Sequence, residues 1–144
     1  EQMRSGTTVN SDVTAELLKN IFYPKAPLHD GAVVIRDGRI AAAGCVLPLT
    51  SNTNLSPDLG TRHRAGIGMS ENSDAVVVIV SEETGTISVA IGGLLKRHLK
   101  PETLEKLLIN ELMPQTEETE ADKPPFYIPR ILKKRKEDDK DGAN

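Results

Sequence analysis

Two periodicities alternate along this chain. Between residues 12 and 22, Val13, Leu17, Leu18, Ile21 and Phe22 recur on one face at helical spacing, with Ser11 or Asp12 placed to cap the start. The pattern predicts a helix that packs one side against a core. Pro24 and Pro27 stop it and favour an extended approach to His29. Ala32 to Arg36 and Arg39 to Leu47 are apolar runs separated only by Asp37-Gly38, a pair suited to the positive φ angles of a tight turn, so they predict a hairpin. Its second strand is dominated by small residues, Ala41-Ala42-Ala43-Gly44-Cys45. Small side chains let something approach the backbone closely, either a packed helix or the ring of a ligand.

Pro48 to Gly60 reads as a loop from its Ser, Asn and Thr content with Pro57 and Gly60. Thr61 to Met69 predicts a helix, but Gly66 and Gly68 each weaken it by about 1 kcal/mol relative to alanine, so it must be short or propped by packing. The unbroken β-branched run within Ala75 to Val80 predicts a buried strand. Ser81 to Gly85 turns it, and Thr86 to Ile91 returns as a second hairpin before a further turn at Gly92-Gly93. Pro101, followed by Leu104, Leu107, Leu108 and Leu112 at helical spacing, predicts a last helix ending at Met113. From Pro114 the pattern ends. Residues 114–144 carry prolines, acidic runs and the basic block Lys133 to Lys136, and predict a disordered charged tail after one domain at 1–113.

Composition narrows the classes. At 144 residues, 38% hydrophobic and 27% charged, the chain suits a single globular domain with a polar extension. A net charge of −3 gives no footprint for a nucleic-acid partner. One cysteine, Cys45, excludes an internal disulfide and a Cys-rich zinc site, which fits a reducing compartment, and its strand context makes it a small buried hydrophobe. No apolar run approaches the roughly 20 residues of a membrane span.

Three short motifs carry candidate chemistry. Leu28-His29-Asp30-Gly31-Ala32 places an imidazole beside a carboxylate where a loop enters a strand. Gly60-Thr61-Arg62-His63-Arg64-Ala65 packs a hydroxyl, two guanidiniums and an imidazole after a glycine, at the start of a helix whose amides also attract anions. Ser81-Glu82-Glu83-Thr84-Gly85 follows a strand at its carboxyl end, where ligands collect in α/β sheets. Singly, each has a plain reading: Asp30 as a turn cap with His29 a bystander, the Arg-His-Arg run as a solvated face, the glutamates as a polar turn. Together they supply acid, metal ligand and anion clamp for chemistry on a nucleotide phosphate. Adjacent helical residues diverge by about 100°, so Arg62, His63 and Arg64 do not all face one phosphate, and His63 is the member expected to support the others. There is no P-loop and no dinucleotide glycine fingerprint. His98 matches no motif and reads as surface.

In order and spacing these motifs resemble the diadenylate cyclase (DAC) family, above all its membrane-anchored bacterial class, over roughly residues 6–113. The resemblance implies an α/β domain with a mixed central β-sheet flanked by helices. It implies condensation of two ATP into cyclic di-AMP with release of two pyrophosphates, at a face-to-face homodimer. By that resemblance Asp30 is the catalytic carboxylate, with Gly31, Arg62 and Arg64 in the catalytic set, and Leu47, Thr61, Arg62, His63, Ser81, Glu82 and Glu83 hold the nucleotide. Leu47 lies by the adenine, which makes adenine the ring that the small-residue strand would admit. His29 and Asp30 hold a metal ion, Mg²⁺ or Mn²⁺. The family more often has alanine at the position of Gly66.

The chain also opens abruptly at Glu1-Gln2-Met3-Arg4, which by the same resemblance places its start inside the domain, after a first helix and strand. A full-length protein anchored at the cytoplasmic face of the membrane, and bound by a regulatory protein, is the corresponding expectation. The alternative is an ATP-binding regulatory module without turnover.

Overall fold

A computed structural model describes residues 5–113. Polar residues open it: Thr7–Asp12 forms β1, in which Val9 and Ser11 are the partly buried positions. The helical periodicity of residues 12–22 is realised as α1, Ala15–Ile21, beginning later than its apolar pattern. Thr14, not Ser11 or Asp12, is the cap; its extended backbone lets the side-chain oxygen accept from the Leu17 amide at 3.1 Å. Asp12 is instead the partner of Arg39, at 2.8 Å.

The hairpin expected around Asp37-Gly38 is present as β2, Ala32–Arg36, and β3, Arg39–Cys45. Both turn residues have positive φ, 52° and 71°, and Arg36 pairs with Arg39 across them. β1 joins on the other side of β3, giving a three-stranded antiparallel sheet in the order β1-β3-β2. Ile40 and Ala43 of this sheet form a small core with Ile21, and Leu17, Leu18, Val9, Leu28 and Val33 pack against it. The small residues of β3 therefore admit α1. Cys45 is 1% exposed, and burial raises its thiol pKa, so it is the inert hydrophobe expected.

The second half repeats the plan. α2, Thr61–Glu71, precedes β4, Val77–Val80, β5, Ile87–Ile91, and β6, Leu94–Leu99, which form an antiparallel sheet in the order β4-β5-β6. The class is α/β, as expected, and every strand pairing among the described residues is antiparallel. β6 was not expected: Gly92 and Gly93, at φ 56° and 83°, form a hairpin turn, and the polar Lys96-Arg97-His98 run after it is nevertheless strand. β4 is an edge strand rather than a fully buried one. Ile79 is in the core, while Val78 and Val80 are 41% and 49% exposed.

The glycines of α2 do not shorten it, because they are where it is packed most closely. A Cβ on Gly66 would stand 2.7 Å from Ile79 Cδ1, and one on Gly68 would collide with the Pro48 carbonyl. Ile67 joins Leu59, Ile79 and Ala90 in the second core. α3, Pro101–Leu112, then follows the expected pattern, with Leu104, Leu107 and Leu108 half-buried. The charged tail expected over 114–144 lies outside the described residues.

Candidate functional site

The Leu28–Ala32 segment is built on a close backbone contact. Gly31 has φ 137°, and a Cβ there would stand 2.8 Å from the Gly44 carbonyl carbon. Gly44, in turn, lies under Leu28, whose Cδ2 a Cβ would meet at 3.2 Å. Two glycines thus let the loop lie flat on β3, so its small residues serve the motif as well as α1. The His29 ring is fixed by Nδ1–H, which donates to the Ala26 carbonyl at 2.7 Å. A carbonyl only accepts, so Nδ1 carries a proton, and in the neutral ring the lone pair is on Nε2. Beside it, the Asp30 carboxylate projects into solvent, 82% exposed.

Arg62, one residue into α2, reaches across to this loop and to the end of β4. Its Nη2 lies 3.9 Å from Asp30 Oδ1 and 2.5 Å from Glu82 Oε1. Three motifs far apart in sequence therefore meet at one guanidinium. All three groups are substantially exposed, so the pairings add little stability; what they do is orient the side chains and keep two carboxylates together. Five N–H donors on the guanidinium exceed what these two contacts use.

The remaining expected residues surround this point unequally. Thr61 is the exposed first residue of α2, where its amide is one of the helix's unsatisfied donors. Arg64 is half-buried; its amide donates to Gly60 O, and its carbonyl accepts from the Thr50 amide at 3.0 Å, tying the loop after β3 to the helix. Leu47 is half-buried in that same loop. Ser81 shapes the turn after β4: its carbonyl accepts from Gly85 N at 3.0 Å and its Oγ from Thr84 N at 3.3 Å. Glu83 is exposed beyond Glu82, and it is Glu82 that meets Arg62.

His63 is turned the other way. It is 8% exposed, and its pKa is lowered, first by burial and then by the Arg97 cation, with Asp58 opposing. Those two neighbours are the polar residues that sequence reasoning passed over. Arg97 Nη2 donates to Asp58 Oδ2 at 2.8 Å, and Ser56 Oγ donates to Asp58 Oδ1. Together they pull the Asp58 carboxyl down to about 2. Neither had a motif to mark it, and β6 itself was not foreseen.

Several known proteins are similar to this chain. The family described as DAC, DisA bacterial checkpoint controller nucleotide-binding, matches residues 1–95. Cyclic di-AMP synthase CdaA of Bacillus subtilis is 46% identical over 123 residues, covering 85% of this chain and 45% of that protein. A diadenylate cyclase of Listeria monocytogenes is 45% identical over 127 residues, 88% of this chain and 45% of the relative. The chain thus spans about 45% of the length of these curated relatives. Among solved structures, a double mutant of DacA from Staphylococcus aureus superimposes with a TM-score of 0.76 at 47% identity, covering 78% of this chain and 75% of that one. A hypothetical membrane spanning protein from Bacillus cereus gives a TM-score of 0.65 at 53% identity, over 67% of this chain and 47% of the other.

Proposed function

This chain belongs to the DAC family, and from that premise we propose that it is a diadenylate cyclase domain, joining two ATP into cyclic di-AMP and releasing two pyrophosphates. The observation that carries the reading is the meeting of Asp30, Arg62 and Glu82 at one guanidinium. It gathers acid, cation and second acid from three motifs at one solvent-exposed point.

In this reading the ribose 3′-hydroxyl of one ATP attacks the α-phosphorus of the other. The bond from that phosphorus to the pyrophosphate oxygen breaks, and the hydroxyl proton passes to Asp30; a second transfer closes the ring. Asp30 is exposed enough to accept and then release the proton to solvent. Gly31 leaves the substrate room beside the backbone. Thr61, Arg62 and Arg64 bind phosphate oxygens, using the guanidinium donors not engaged by the carboxylates and the free amides of α2. Leu47 flanks the adenine, Ser81 contacts phosphate or ribose, and Glu83 is a second acidic residue of the nucleotide site. His63, buried under the helix, supports the motif rather than touching the nucleotide.

Mg²⁺ or Mn²⁺ is the ion of this proposal: Asp30 offers the carboxylate oxygens that a hard divalent cation takes, and His29, its Nδ1 engaged by the Ala26 carbonyl, has Nε2 left as a second ligand. Among the described residues no group of three or more His, Cys, Asp or Glu side chains is gathered to hold a metal ion, so water and phosphate would have to supply its other ligands. Bound there, the ion would neutralise charge on the phosphate oxygens.

One domain supplies one set of motifs, so two protomers meet face to face around two ATP. No described helix is long and apolar enough to cross a membrane. Anchoring of the full-length protein at the cytoplasmic face, and control by a regulatory partner, belong to this proposal through the likeness to the membrane-anchored class.

A nucleotide-binding module without turnover is the competing reading. β4, which delivers Ser81 and Glu82, is an edge strand with Val78 and Val80 exposed, and binding a nucleotide asks less exact placement of these residues than aligning reacting atoms does. One experiment separates the two. The purified chain is incubated with ATP and Mg²⁺ or Mn²⁺, and the products are read by mass spectrometry. Cyclic di-AMP supports the cyclase; saturable ATP binding without product supports the module; neither overturns both.

A further inference from the structure

The start of α2 is an awkward place for a helix to begin. Its N-cap, Gly60, makes no side-chain hydrogen bond, and its first turn holds no acidic residue. Instead it carries Arg62 and Arg64, cations at the positive end of the helix dipole, next to amides with no partner inside the helix. Such an end frays unless something outside the helix fixes it. Arg62, on which the site converges, sits in that turn.

What fixes it is found just before the helix. The Leu59 amide donates to the Ser56 carbonyl at 3.2 Å, closing a turn, and Leu59 is buried against Ile67, Ile79 and Ala90. Between these two residues, Asp58 takes the Ser56 hydroxyl on one oxygen and Arg97 on the other, the latter at 2.8 Å. Arg97 lies in β6 two residues before Leu99, which pairs with Ile87; Ile87 in turn pairs with Val80, the residue before Ser81-Glu82. The ion pair therefore ties the approach to α2 to the same end of the sheet that carries Glu82. His63, beside Arg62 but turned inward, lies in the electric field of both partners. Arg62 is consequently held from two sides: by Glu82 at its tip and, through its own helical turn, by Asp58 and Arg97.

We propose that Asp58 and Arg97 are a positioning pair for Arg62, setting the direction in which its guanidinium meets the triphosphate. This rests on the nucleotide reading given above. The pair is largely exposed, with side-chain exposures of 59% for Asp58 and 34% for Arg97, and exposed ion pairs add little to stability. Its loss should therefore register in nucleotide handling far more than in folding.

The test uses the 144-residue chain carrying Asp58→Asn, Arg97→Gln, Arg97→Lys or Asp58→Glu. Calorimetry measures ATP and adenosine affinity, turnover gives kcat/KM, and thermal melting reports the fold. Asp58→Asn and Arg97→Gln should lower kcat/KM for ATP by roughly ten- to a hundredfold, the scale of an ångström-sized misplacement, and weaken ATP but not adenosine. Melting temperatures should fall by no more than a few degrees, and Asp58→Glu and Arg97→Lys, which keep the charges, should recover part of the loss. Wild-type kcat/KM in both neutral variants, or equal losses for ATP and adenosine, would overturn the proposal. A wild-type chain that neither binds nor turns over ATP would end the nucleotide reading instead. The pair would then be judged by NMR titration of the His63 imidazole: Arg97→Gln should raise its pKa and Asp58→Asn lower it. An unmoved His63 titration would overturn the coupling of the Asp58–Arg97 pair to α2.

Discussion

At the scale of single residues, the proposed site turns on the charges around Arg62. Asp30→Asn keeps the shape of the side chain and removes the proton acceptor, so product formation should slow by roughly a hundredfold or more while ATP affinity, measured by calorimetry, changes little. Arg62→Ala removes the cation between Asp30 and Glu82. ATP binding should weaken by about 1.5–3 kcal/mol, the range for a hydrogen bond to a charged group, with adenosine affinity unchanged; equal loss for both ligands would show that Arg62 does not read phosphate. The acid and the guanidinium were legible as residue types in motifs. Which of two adjacent glutamates would face them was not, because neighbours in a turn point in different directions. The family likeness placed Glu82 and Glu83 alike at the nucleotide, and of the two it is Glu82 that reaches Arg62. Helical divergence showed that Arg62, His63 and Arg64 do not all face one way, and the buried member is His63, the one expected to support the others.

At the scale of elements, what was readable followed from apolar periodicity and glycine turns, and what was missed lacked them. α1, the Asp37-Gly38 hairpin and α3 each carry a repeating apolar pattern. β1 offers one apolar side chain, Val9, and β6 breaks its alternation at His98, whose φ is 58°. β4 looked buried on both faces because its sequence is uniformly apolar, yet its position at a sheet edge is a property of topology. The glycines of α2 were read as a weakness, and their role is close packing. Gly68→Ala should destabilise by about 3 kcal/mol in urea unfolding, since its Cβ meets backbone, at the upper end of overpacking losses. Gly66→Ala should cost about 1 kcal/mol, because Ile79 can shift and alanine favours the helix. The turn entering α2 also has a pH signature. The Asp58 carboxyl is depressed from 3.8 to about 2 in the folded chain, so its contribution, which solvent screening of this exposed pair keeps small, is complete above 3.8 and is lost as the pH falls towards 2. His63, whose folded pKa is also lowered, adds stability loss of the same sign at higher pH, as the unfolded chain takes up its proton below 6.5. Melting curves of wild type should therefore fall more steeply between pH 4 and 2 than those of Asp58→Asn, and parallel curves would show that the pair is not linked to folding.

At the scale of the whole molecule, the proposed chemistry asks for more than one chain. Each ATP supplies both a nucleophile and an electrophile, and the described residues bring Asp30, Arg62 and Glu82 together once. Ring closure then needs a second protomer whose Asp30 faces the first protomer's ATP. The side chains concerned are largely exposed, which is what a surface that meets a partner across substrate requires. A permanent interface would trap the cyclic product, so a weak one is expected. Below the dimer dissociation constant the dimer concentration rises as the square of total protein, and specific activity should climb with protein concentration before levelling off. Mixing Asp30→Asn protomers into wild type should depress activity more than simple dilution does, because a mixed dimer completes at most one of its two phosphodiester bonds. Specific activity that stays flat from nanomolar to tens of micromolar protein, with light scattering showing monomer in the presence of ATP and metal, would rule out the face-to-face arrangement and leave ring closure to a single chain.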